Sequence, residues 1–268
     1  MSAVSTATGA DRRERPGAHR AGGGFPGAFA AEWTKLWSIR APRVCLVTGL
    51  VVTGIFTFYY GSIARINDKP VQPVGNASVS SVVLTQFALV ALAVTMVTSE
   101  YATSSVRTSL LWVPVRHRVQ LAKALLSAVV GLGAGVVFGV LGIAVAWVPF
   151  RGHAEFELSE AVSQILAMAV YCALTGVMAV GVSFALRTAA GAVAVLFFLI
   201  SALPSMLVGL GGPVLLAIND HMPQTAGGHL MLGDGSAPYP AAVSLLILVA
   251  WTVAAHGAGA WVLRHRDA

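Results

Sequence analysis

Apolar residues run through this chain in long unbroken stretches, and six of them reach the length of a membrane span. They cover residues 44–64, 79–97, 124–150, 161–186, 190–211 and 241–263, and none contains Asp, Glu, Lys or Arg. A helix needs roughly 20 apolar residues to cross the hydrocarbon core. The alternation that marks a membrane β-barrel is absent. The pattern therefore predicts an all-α integral membrane fold with six transmembrane helices. Two further stretches mix apolar and polar positions at helical spacing. The first, FAAEWTKLWSIRAPR, puts Phe29, Trp33, Leu36 and Trp37 on one arc, with Glu32 at its edge and Lys35 and Ser38 turned away. It predicts an N-terminal interfacial amphipathic helix, because indole rings favour the headgroup region.

The second stretch is TSEYATSSVRTSLLWVPVRHRVQLAKALL, residues 98–126, between spans two and three. Glu100 sits where a helix would begin, favoured by the positive end of the helix dipole. Val106, Leu110 and Val113 fall on one side of that helix, beside a polar stripe of Glu100, Thr103 and Arg107. Pro114 ends it, and Arg116, His117, Arg118 and Lys123 are expected to hold the start of span three at the membrane surface. A bare connection needs fewer residues, so a structured helix here suggests a partner outside the membrane.

Charge sets the orientation. Six spans put both termini on one side. That side would carry Arg12, Arg13, Arg15, Arg20, Lys35, Arg40, Arg43, Arg107, Arg116, Arg118, Lys123, Arg187, Arg264 and Arg266, leaving only Arg65, Lys69 and Arg151 on the other. The positive-inside rule makes the richer side cytoplasmic. Residues 1–28 lack the apolar core of a signal peptide and read as a disordered basic cytoplasmic tail. Residues 29–268 then form one six-span domain.

Composition agrees. The chain of 268 residues is 56% hydrophobic and 10% charged, against roughly 25% charged for soluble domains. The net charge of +6 is distributed around the apolar runs rather than gathered into a patch, which argues against nucleic acid. Cys45 and Cys172 lie in spans and read as packing residues. Gly131, Gly135 and Gly139 share one helix face, which predicts close helix packing rather than a dinucleotide site. No P-loop motif occurs.

EWTKLWSIR, the 98–126 stretch and the terminal AWVLRHRDA resemble the permease subunits of ABC-2 type exporters, the membrane components of ATP-binding-cassette transporters, of the actinobacterial kind. The likeness runs from about residue 29 to the end of the chain. One difference is Ser104-Ser105, where such permeases often carry Gly-Thr. The resemblance implies a six-span subunit that works as a dimer, with a second copy or a paralogue, in the cytoplasmic membrane. A separate ATPase subunit would bind ATP and magnesium, so this chain would hold no cofactor and catalyse nothing itself. It further implies that Glu100, Tyr101, Ala102, Thr103 and Arg107 belong to a cytoplasmic docking helix for the ATPase. Glu32, Trp33, Lys35 and Trp37 would belong to the helix that braces it.

The spans offer little chemistry beyond this. His256 is the intramembrane polar candidate, to be weighed against an imidazole bonded to a helix carbonyl. Asp220, His221, His229 and Asp234 fit no tight metal spacing and read as an outer loop, so no metal is expected. Pro213, Pro223 and Gly227-Gly228 forbid one continuous helix over 211–239, where the resemblance implies short re-entrant helices. The function expected is ATP-driven export of an apolar or amphiphilic substrate. The competing readings are a structural or immunity-type membrane component and a membrane-embedded enzyme.

Overall fold

A computed structural model describes residues 24–102, 116–233 and 237–265 of the chain. Helix α1 is Gly24–Ser38 and α2 is Ala41–Ile66. A two-residue strand β1, Gln72–Pro73, precedes α3, Gly75–Ala102. Helix α4 is Arg116–Phe150, and β2, Ala154–Glu155, leads to α5, Leu158–Leu186. Then come α6, Ala189–Phe197, a π-helical turn over Phe198–Ala202, and α7, Leu203–Leu210. Two short helices follow, α8 over Pro213–Asp220 and α9 over Pro223–Leu232, before α10, Ala241–His265. Among the described residues, six helices are long and apolar enough to span a membrane, with α6, the π turn and α7 forming the fifth. The all-α, multi-pass reading of the sequence stands.

The helices outrun the apolar stretches. An apolar run stops at its first charge, but a backbone leaving lipid must keep its hydrogen bonds paired until it meets water or another polar group. Helix α4 thus begins at Arg116 and carries Lys123 in its interior. Helix α1 begins at Gly24, ahead of the boundary expected at residue 29, with Pro26 in its first turn, where a missing N–H costs nothing. Pro42 occupies the same kind of position in α2. In the fifth span Pro204 has no N–H to offer the carbonyl of Ile200, and the π turn lies over that stretch.

Helices α3 and α5 form the centre. About two-thirds of each apolar window is buried, against about a fifth for α2, for the fifth span and for α10. The glycine face of α4 does what its spacing predicts. A Cβ on Gly131 would lie 2.8 Å from the Ala173 backbone, and one on Gly135 would lie 2.5 Å from that of Ala169. Helix α10 meets α5 in the same way, a Cβ on Gly181 falling 2.6 Å from the Ala255 carbonyl carbon. Lipid gives helices no hydrophobic reason to associate, so backbone approach and dispersion hold these pairs together.

At the far end from α1, β1 and β2 tie two loops together: Gln72 N–H donates to His153 O at 3.2 Å and Val74 N–H to Glu155 O at 3.0 Å. Region 211–239 breaks into two helices, as its prolines require, and α9 enters the bundle. Gln86 Nε2 donates to Gln224 Oε1 at 3.0 Å, and Tyr171 Oη donates to Gln86 Oε1 at 2.5 Å. Gln86 lies about 16 Å along α3 from its first residue, so α9 reaches roughly to mid-depth.

Substituting Gly135 by Val forces α4 and α5 apart at backbone contact and should lower stability by about 1–3 kcal/mol. Gly133→Ala, where a Cβ meets nothing within 4 Å, should not. Thermal unfolding of the two variants in detergent checks the difference.

Candidate functional site

Four charged side chains from three helices meet where α3 ends and α4 begins. Helix α1 buries a stripe of Ala28, Glu32 and Leu36, at four-residue spacing, against the bundle. Glu32 is thus central to the packed face rather than at its edge. Glu100 comes from the last turns of α3. Lys123 comes from the third turn of α4 and is wholly buried, in place of the surface position expected of it. Lys35 does not turn away; it folds back from α1 onto the cluster.

The geometry saturates the ammonium of Lys123. Its Nζ donates to Glu32 Oε2 at 2.5 Å, to Glu100 Oε1 at 2.9 Å and to the Met96 carbonyl at 3.1 Å. An ammonium has three donors, and all three are used. Lys35 Nζ donates to Glu32 Oε1 at 3.0 Å and also to Glu100 Oε1. Two carboxylates and two ammoniums leave the cluster neutral. Burying ions is costly, and the cost is met only when each charge is paired and each polar atom bonded. Here that condition requires all three helices at once.

Lys35 is the outer member, its side chain 43% exposed. Burial pulls its ammonium toward neutrality. The hydrogen bond to Glu100 and the charges of Glu32 and Glu100 outweigh that pull, raising its pKa above the ordinary 10.5. A raised folded value means that its contribution to stability is complete below pH 10.5 and is lost only as the pH rises through the raised value. Lys35 therefore stays charged through the neutral range.

The remaining residues marked in the sequence separate into groups. Phe29, Trp33 and Trp37 form an aromatic ladder on α1, with ring centroids 6.3 and 6.0 Å apart, and Trp33 remains 41% exposed. Tyr101 turns inward, edge-on to Phe184 at 6.4 Å, with the Arg187 guanidinium 5.5 Å from its ring centre. Arg187 has the left-handed φ of 59° that closes the turn from α5 to α6, and it also donates to the Val262 carbonyl at 3.4 Å. That conformation costs a non-glycine residue roughly 1–2 kcal/mol and persists where surrounding contacts fix it. Ala102 ends α3. Thr103 and Arg107, with most of the expected docking helix, and residues 1–23 of the expected tail lie outside the described residues.

On the other side of the bundle, Asp220, His221 and His229 gather around Tyr239. Its ring lies 5.7 Å from His221 and 5.6 Å from His229, and its hydroxyl donates to the Asp220 carbonyl. Asp234 is outside the described residues, and among those described no three His, Cys, Asp or Glu side chains converge as metal ligands would. His256 lines a groove between α4, α5 and α10, where Gln120 Nε2 donates to its backbone carbonyl at 3.0 Å.

Sequence reasoning missed the burial of Lys123 and the Gln86–Tyr171–Gln224 chain. A signal existed for each. Lys123 begins an apolar run with Glu100 ending the previous one, and a glutamine stands in the middle of the 79–97 run. No family model matches this sequence, and no curated protein sequence matches it.

Removing one member of the inner pair strands its partner's charge. Lys123→Met and Glu32→Gln should each cost about 3–5 kcal/mol. Lys35→Met, at the wet edge, should cost about 0–1 kcal/mol. The double variant of Glu32 and Lys123 should fall short of the sum of the two single losses, as expected for residues in direct contact. Unfolding midpoints of the four proteins in one detergent test this order.

Proposed function

We propose that this chain is the permease subunit of an ABC-2 type exporter, moving an apolar or amphiphilic substrate across the cytoplasmic membrane. A separate ATPase, holding ATP and magnesium, would drive it by docking on the segment that joins α3 to α4. A second copy or a paralogue would complete the transmembrane dimer. This chain does no bond chemistry; it is a packing equilibrium that a partner biases.

The observation that carries the reading is the four-charge cluster of Glu32, Lys35, Glu100 and Lys123. It stands at the root of the segment proposed for docking. A push on that segment would be delivered at once to α3, the central span, and to α4, which is packed backbone to backbone on α5. Helix α1 is locked to the same point, which suits a brace. Its aromatic ladder, with Trp33 exposed, suits a helix lying in the headgroup layer. The quoted sequence likenesses and the one-sided distribution of Lys and Arg support the same assignment. The spans contain no buried charge away from this end among the described residues, which favours an external energy source over an ion-coupled carrier.

Two measurements test the proposal. Affinity purification of the tagged full chain from its native membrane should recover an ATPase subunit whose hydrolysis depends on the chain's presence. Recovery of the chain without any ATPase, under conditions that keep it folded, would refute the reading. Separately, Ser38→Cys, at an exposed position next to the cluster, should resist membrane-impermeant thiol reagents in intact cells and react in inverted vesicles. Labelling from outside would reverse the topology.

A further inference from the structure

We propose that the groove between α4, α5 and α10 is a binding site for an anionic membrane lipid. The groove has a volume of about 560 Å³ and lies at the surface of the bundle, with Leu121 and Val253 of its lining exposed. Its walls are apolar, with Leu121, Val177, Val253 and Gly257 among them, and no acidic side chain lines it among the described residues. Along α10 it extends from Thr252 to Arg264. At 1.5 Å per residue that is about 18 Å, close to the depth of one leaflet of a ~30 Å core.

The groove carries a cation at one end and is apolar deeper in, as a lipid is charged at its head and apolar along its chains. Arg264 stands at the end of α10, exposed and without an ion pair among the described residues. It supplies the cation for a phosphate. His256 lies two turns deeper, about 12 Å along the axis. Both its ring nitrogens are shielded from water and lie beside the Val177 backbone, so the imidazole is turned into the protein and offers the groove no polar atom. Gln120 is already committed to the His256 carbonyl, so it floors the groove without filling it. Charge complementarity selects an anionic headgroup; a zwitterionic one would bring its own cation toward Arg264.

The inference needs only that the chain spans a membrane, and it stands or falls apart from the export proposal. Native mass spectrometry of the purified full-length chain should show dioleoylphosphatidylglycerol retained about fivefold better than dioleoylphosphatidylcholine, the advantage expected of one basic side chain near an anionic headgroup. Arg264→Gln should abolish that preference. Gly257→Trp, at a position where a Cβ meets nothing within 4 Å, should fill the groove and reduce retention of both lipids. Gly209→Trp, equally open but on α7, should change neither. The unaltered chain should also melt at a higher temperature with phosphatidylglycerol than with phosphatidylcholine, a readout that no variant can spoil by misfolding. Equal retention of the two lipids by the unaltered chain would overturn the site. So would full retention by Gly257→Trp, or displacement of the lipid by soluble glycerol phosphate, which would make the ligand a free anion.

Discussion

The wholly buried ammonium of Lys123 is the constraint around which this end of the molecule is organised. A lone lysine at that depth would lose its proton or unfold the helix that carries it. Here Glu32 and Glu100 reach it from two other helices and the Met96 carbonyl takes its third hydrogen. Helix α1 is therefore no appendage. Without Glu32 the site would hold two cations against one carboxylate, and the ends of α3 and α4 would no longer have a neutral core. The cluster makes the N-terminal helix a condition for the local packing of two spans.

The two ends of the bundle are joined by different physics. At the end holding α1, the links are charges, strong in a dry setting and intolerant of a missing member. At the other end they are neutral: a two-residue strand pair, the Gln164–Asn76 side-chain bond at 3.0 Å, and Ser78 donating to the Gly139 carbonyl at 3.0 Å. Between them α4 and α5 approach at backbone distance at Gly131 and Gly135, while Gly139 takes the Ile165 side chain. A displacement applied at the charged end cannot be absorbed by rotamer changes at those two backbone contacts. Such a displacement would tend to move the two helices together, which is the behaviour the proposed function asks of them.

Much of this was legible in the sequence for a simple reason: lipid forbids most alternatives. Uncharged runs of span length have one stable fold, and the glycine spacing at 131, 135 and 139 has one use on a helix. Prolines at 213 and 223 marked the starts of two short helices. What sequence could not reveal was pairing between elements far apart in the chain. Glu32 and Lys123 are 91 residues apart, and each alone reads as an ordinary surface charge near a membrane. The arc drawn on α1 by its aromatic residues was real, but the face that packs is the neighbouring one, centred on Glu32. Apolar moment points toward lipid as readily as toward protein, so in a membrane chain it does not identify the buried side. Gln86 was overlooked because one amide does not interrupt a hydropathy average, although an amide at mid-depth must find partners, as it does in Tyr171 and Gln224.

The groove on α10 and the charge cluster share a helix. Gln120, which holds the His256 carbonyl, stands one turn before Lys123 on α4. The two side chains stand on different contacts of the same turn, one toward α10 and the other toward α1 and α3. A lipid seated in the groove would press on α10 and on the first turns of α4, while a partner acting on the cluster would press on those turns from a neighbouring face, since residues three apart lie side by side on a helix. Since α10 is also fixed to α5 by the Gly181–Ala255 approach, the groove can widen only if α4 shifts relative to α5 or α10 tilts about that contact. The glycine interface resists the first. Tilting of α10 is the softer motion, because only about a sixth of its apolar window is buried. An occupant of the groove would therefore bias α10 rather than the central pair, and the Gln120 bond gives it a direct link to the helix that carries Lys123.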